Sequence, residues 1–280
     1  MPPRSRPTAR QVRLGTELRR LREAAGMTAR EVARFLGSTS AQMSQMEAGI
    51  AGVSEERVRR LTDHYACAEP ALVDGLVHMA TDRTRGWWEE YRNVLPPVFL
   101  DLAELQHHAT FLWEIATAHV PGLLQTEDYA RAVFAYWRPE LTDSEIEVRV
   151  EHRMRRKAAL GATPYTAVLH EPVLRTRVDD RRTARAQLEA VLEWSEAPGV
   201  VVRVIPFDVD GFAGASAELL YAGGSMPTLD TAQRDTPQGT AFFDDPAQLL
   251  SMRTLFRKVE AVSLEPARSR DYLHHLAKEL

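Results

Sequence analysis

The chain has 280 residues, 44% of them hydrophobic and 26% charged, with one cysteine, Cys67, and a net charge of −4. This composition can bury a core and fill two domains, and it excludes a disulfide framework, a zinc site built on cysteine pairs and a wholly disordered chain. No apolar run approaches the ~18 residues of a membrane helix. The arginine-rich start has no secretory apolar segment, so a reducing cytoplasm is the expected compartment.

Charge is uneven along the chain. Residues 1–66 hold 12 Arg, no Lys and 7 acidic residues, a net +5, whereas residues 67–280 hold 23 basic and 32 acidic residues, a net −9. A small basic unit on an acidic body suits a nucleic-acid-binding module joined to a sensor or partner domain. It suits a merely solvated helical face equally well.

In chain order, Val12, Leu14, Leu18 and Leu21 lie near helical spacing, and Gly26 stops that helix. Thr28 with Glu31 forms a capping box opening a short helix that ends at Gly37. A third helix follows Ser38-Thr39-Ser40, with Met43 and Met46 inward, and stops at Gly49. Ser54 caps a fourth, and a fifth runs from about residue 69 to 81.

Beyond an aromatic segment at Trp87-Trp88, the pattern predicts helices over 99–114, 126–137, 142–160, 183–196, 246–261 and 265–279. It predicts strands over 165–170, 200–205, 217–221 and 240–243. The expected fold class is α+β: an all-α domain of about five helices over residues 1–82, then a mixed α+β domain with a small sheet over residues 83–280.

Two short helices joined by a tight turn after Gly37 suggest a helix-turn-helix. The residues Leu14, Leu18, Leu21, Gly26-Met-Thr28, Glu31-Val-Ala33, Leu36-Gly37, Met43-Ser44 and Met46-Glu47 resemble the Xre or phage-repressor type. The whole chain is similar to the actinobacterial WhiJ-like regulators. This likeness rests on Pro121-Gly-Leu-Leu-Gln-Thr126, Tyr129-Ala-Arg131, Trp87-Trp88, Arg153-Met, Arg156, Glu171, Leu174-Arg175 and Val204-Ile-Pro-Phe207. The resemblance implies an operator-binding regulator, often paired with a small partner protein.

The chain departs from that pattern in its reading head. Residues 35–56 hold no Lys or Arg but carry Glu47, Glu55 and Glu56. Ala29, Gln45, Ala48, Ile50 and Ala51 stand where relatives usually show polar or basic residues. Ser40, Gln42, Ser44 and Gln45 are the candidates for base contacts, either glutamine being able to meet adenine through two hydrogen bonds. Phosphate contacts would fall to Arg4, Arg6, Arg10, Arg30 or Arg34. The body departs as well, at Leu105-Gln-His-His108-Ala109 and Thr228-Leu229-Asp230-Thr231.

The body contains no phosphate-binding glycine loop and no nucleophile elbow, and the expectation is no metal and no cofactor. Its chemistry, if any, is acid–base, with His107, His108, His170 and Glu171 as candidates. Trp87, Trp88, Tyr91, Trp113 and Tyr129 are either core or the lining of a pocket for an apolar ligand. Arg153, Arg155, Arg156 and Lys157 read as a solvated or partner-binding face, with an anion site as the other option.

Three functions follow from these features. One is a homodimeric transcription regulator that binds operator DNA and senses a small hydrophobic metabolite or a small partner protein. The second is a cofactor-free enzyme of secondary metabolism that dehydrates, adds to or cyclises an apolar substrate. The third is an interaction protein that does neither.

Overall fold

The computed structural model describes residues 6–82, 84–214, 216–236 and 239–280. It divides into two compact units, residues 1–105 with 226–229, and residues 106–225 with 230–280. The first unit therefore runs past the expected boundary at residue 82. Trp88, Leu95, Leu100 and Ala103 are buried, and Ala9 N donates to Asp101 Oδ1 at 3.1 Å. Among the described residues no helix is long and apolar enough to cross a membrane.

Among the described residues, the stretch up to residue 82 carries five helices, as expected: α1 (Ala9–Ala24), α2 (Ala29–Phe35), α3 (Ser40–Glu47), α4 (Glu55–His64) and α5 (Pro70–Thr81). Thr8, Thr28 and Thr39 each cap a helix in a full capping box, and Ser54 caps α4. Leu18, Val32, Met43, Met46, Val58, Leu61 and Leu76 meet in one apolar cluster.

Two glycines allow the close approach of α1 to the end of α3. A Cβ on Gly15 would lie 2.5 Å from the Glu47 carbonyl oxygen, and Gly49 (φ +72°) has the Gln11 carbonyl at 2.6 Å from its own Cβ position. Gly15→Ala is expected to lower the stability of this unit by about 1–3 kcal/mol through overpacking against backbone. Chemical denaturation of the two proteins measures it, and an unchanged midpoint would mean that α1 and α3 can separate freely.

The second unit is a six-stranded sheet flanked by helices. Its strands are β1 (Phe111–Ala116), β2 (Tyr165–His170), β3 (Val200–Ile205), β4 (Leu219–Gly223), β5 (Thr231–Thr236) and β6 (Gly239–Phe243), in the order β3-β2-β1-β4-β5-β6. The pairs β1–β2 and β2–β3 are parallel, and β1–β4, β4–β5 and β5–β6 are antiparallel. Parallel neighbours need crossovers. These are supplied by α7 (Glu127–Trp137) with α8 (Asp143–Arg156), and by α9 (Glu171–Arg175) with α10 (Arg181–Glu196). The chain closes with α11 (Pro246–Val262) and α12 (Pro266–Glu279).

One expected helix is corrected. The helix α6 (Pro97–His108) stops at its two histidines, and residues 111–116 form the central strand β1 rather than continuing the helix. A central strand is covered on both faces, so its sequence lacks the alternation that marks a half-buried strand. Strand β5 was also not anticipated, because Thr-Ala-Gln-Arg-Asp-Thr is mostly polar.

The two faces of the sheet differ in chemistry. On one, Ile115, Val168, Ile205, Phe256 and Val259 form an apolar cluster, adjoined by Tyr221, Ala232, Leu249 and Met252. By the two-residue alternation of strands, Glu114, Tyr165 and Asp235 belong to the other face.

Candidate functional site

The exposed surface of α3 is polar and is positioned from within. Met43 and Met46 are buried, which turns Ser40, Gln42, Ser44 and Gln45 to solvent. Gln42 is partly committed, because its Oε1 accepts from Thr39 N at 3.1 Å in the capping box. Gln45 carries no such constraint, so its amide can both donate and accept at an adenine edge.

Glu47, counted above among the acidic residues of the reading head, is turned inward. Its side chain is 8% exposed. Arg22 grips it in a fork, Nε to Oε1 at 2.6 Å and Nη2 to Oε2 at 2.9 Å, and places Nη1 on the Met27 carbonyl at 2.8 Å. The hydrogen bond that Arg22 donates to Glu47 raises the Arg22 pKa. Glu47 is thus neutralised internally, and the charge objection to DNA binding shrinks to Glu55 and Glu56, of which Glu55 pairs with Arg59 at 2.9 Å.

The arginines sort by orientation. Arg10 points inward, 4.0 Å from Asp82, and burial outweighs Glu104 and Asp82 in lowering its pKa. The expectation that Arg10 clamps a phosphate is corrected on this ground. Arg13 is buried against Glu17. Arg30 and Arg34 lie one turn apart on α2 and are exposed, as is Arg6. Among the described residues neither Arg30 nor Arg34 is drawn into an ion pair. Arg4 lies outside the described residues.

The acid–base candidates are placed separately. His107 and His108 end α6, ring edge to ring face at 4.9 Å. His170 ends β2 against the rings of Phe207 at 5.7 Å and Phe212 at 4.9 Å, and burial lowers its pKa. Glu171 is 4% exposed. Its Oε2 accepts from Phe207 N at 2.7 Å, and it is held by Arg175 and Tyr272. Glu171 is a tie between elements, with its oxygens taken, which corrects its reading as an acid–base group.

The expected aromatic pocket is also divided. Trp87, Trp88 and Tyr91 belong to the first unit, where Trp87 meets the other two edge-on at 6.1 and 6.0 Å. In the second unit, Trp113 stacks on Phe256 at 4.7 Å, with the Arg257 guanidinium 4.4 Å from its ring centre. Tyr129 is buried on α7, its hydroxyl accepting from Val120 N at 3.2 Å. Trp113 and Tyr129 therefore serve different packing layers.

A polar cluster that sequence reasoning did not assemble lies on the Glu114 face. Tyr165 donates to Glu114 Oε2 at 2.6 Å. Burial pushes the Glu114 carboxyl up to about 7, against the lowering effects of Tyr165 and Arg156. From α8, Arg153 Nη1 donates to Gln125 Oε1 at 2.6 Å and Arg156 Nε to Gln106 Oε1 at 2.9 Å. The solvated face expected for Arg153 and Arg156 is thus corrected: both turn inward, and burial lowers the pKa of each. The signal was present in the paired phrases Pro121–Gln125 and Arg153–Arg156, which the fold brings together.

Known families describe both halves. A helix-turn-helix domain family matches residues 13–76. The family described as a domain of unknown function, DUF5753, matches residues 99–275, and the chain belongs to it. No curated protein and no solved structure matches the chain.

Proposed function

We propose that this helix-turn-helix protein is a DNA-binding transcription regulator whose second unit senses a small metabolite or a small partner protein. The observation that carries this is the outward face of α3. Ser40, Gln42, Ser44 and Gln45 stand on a helix pinned by Met43, Met46 and the Arg22–Glu47 pair. In this motif the second helix enters the major groove by its N-terminal part, and the first crosses the backbone. That docking gives α2, with Arg30 and Arg34, the phosphate contacts. A homodimer on a pseudo-palindromic operator is the matching assembly. The similarity of the Pro121–Arg131 phrase to WhiJ-like regulators supports the same reading, and a cytoplasmic location suits it.

The test is a titration of the full chain against the upstream DNA of its own gene at ~50 and ~200 mM salt. With about six phosphate contacts, affinity should fall about 10³-fold between the two. Gln45→Ala should relax base preference by about 1–3 kcal/mol at one position. Arg34→Ala should weaken binding on all sequences and flatten the salt slope by about 1. Absence of binding by folded protein at ~50 mM salt would refute the regulator reading.

A further inference from the structure

The guanidinium groups of Arg153 and Arg156 converge beside the Pro121-Gly122 turn. A point built as a Cβ on Gly122 lies 3.5 Å from Arg156 Nη2 and 3.8 Å from Arg153 Nε. Arg156 is 8% exposed and Gln106 is 2% exposed. Arg153 stacks its guanidinium 4.0 Å from the Phe134 ring centre. Among the described residues neither arginine makes an ion pair, and both hydrogen bonds above go to neutral amides. Two donors are buried without an acceptor, Arg153 Nε and Gln106 Nε2.

Two like charges side by side in a desolvated place need a counter-charge at contact distance. The carboxylates that act on them, Glu114 and Asp235, do so from beyond ion-pair range. An oxyanion would supply both the charge and the acceptor lone pairs. Glu114 and Arg153 are half-buried, so the cluster lies at the edge of the core and not at its centre.

We infer that Arg153, Arg156 and Gln106 form a site for a small ligand bearing an oxyanion, a carboxylate or a phosphate. The site specifies the sensing role given above to the second unit and rests on that reading, but its test uses no DNA, so either can fail alone. The groups facing Glu114 are Tyr165 from β2, Arg153 and Arg156 from α8, Asp235 from β5 and Glu218 ahead of β4. Burial raises both Glu114 and Glu218. Protonation of Glu114 as the pH falls through about 7 removes a negative charge beside the bound anion, so affinity should be higher at pH ~6 than at pH ~8.

The experiment is calorimetric titration of the full-length protein with inorganic phosphate and, separately, succinate, at constant ionic strength set with sodium chloride. Saturable one-to-one binding of either anion is expected, and which one binds identifies the source of the oxyanion. Arg153→Gln should weaken it at least ~10-fold, in line with loss of a charged hydrogen bond, while Arg185→Gln on the exposed side of α10 should not. With succinate, Glu114→Gln should tighten binding at pH ~8 and reduce the difference between pH ~6 and pH ~8, leaving only what Glu218 contributes. If neither anion binds saturably to folded wild type, or if Arg153→Gln binds as well as wild type, the inference is overturned. Should Arg153→Gln not fold, Glu114→Gln decides: unchanged affinity at pH ~8 also overturns it.

Discussion

Arg22→Ala is expected to destabilise the first unit by about 3–5 kcal/mol, the cost of stranding one member of a buried ion pair. Glu47 would keep a carboxylate with 8% of its side chain exposed and no guanidinium to hold it. The Met27 carbonyl would lose its 2.8 Å donor as well. Glu47→Ala should cost a similar amount, because it strands Arg22. The double change Arg22→Met with Glu47→Leu should recover most of the loss, since apolar groups of similar volume can replace a buried pair. For a unit of this size each kcal/mol is worth about 4–8 °C in Tm, so melting curves resolve the four proteins easily. Single variants that lose less than about 1 kcal/mol would show the pair behaving as a surface one, and the account of how α3 is held would fall. DNA affinity should drop with the singles, because the same pair fixes the C-terminal end of α3.

Glu171→Gln is expected to cost the second unit about 3 kcal/mol. The carboxylate joins the start of α9 to Phe207 N after β3 and to Arg175, which reaches on to Glu279 of α12 at 3.0 Å. Burial alone would raise its pKa. Hydrogen bonds from Tyr272, Arg175 and Phe207 N outweigh that and hold it below the ordinary carboxylate range. In the folded state the group therefore takes up its proton less readily than in the unfolded chain. Its contribution is complete above the unfolded value of about 4.3 and is lost as the pH falls through the lower folded value. The wild type should accordingly lose stability with acid more steeply below pH ~5 than Glu171→Gln does, as denaturation at stepped pH would reveal. Parallel pH profiles would remove Glu171 from this role.

The helix-turn-helix was legible because its signals are local. Thr28 with Glu31, the cap within Ser38-Thr39-Ser40 and the left-handed Gly26, Gly37 and Gly49 act within a turn of themselves. Met43 and Met46 mark the inward side of α3 by spacing alone. The α+β class of the body was legible for the same reason, from the capped helices and the β-branched runs of β2 and β3.

What sequence could not decide was the direction of charged side chains and the identity of the central strand. Glu47 and Arg22 are 25 residues apart, and Arg156 and Gln106 are 50 apart. Composition scores each as a surface polar group until the fold sets them face to face. Glu171 looked reactive because it follows a histidine at a strand end, and only the arrival of Phe207 and Tyr272 showed its oxygens to be occupied. Residues 111–114 read as the end of a helix because a strand enclosed on both faces carries no alternating pattern. Local hydrogen-bonding chemistry and periodicity are written in the order of residues. The neutralisation of a buried charge depends on partners that only the tertiary structure brings together.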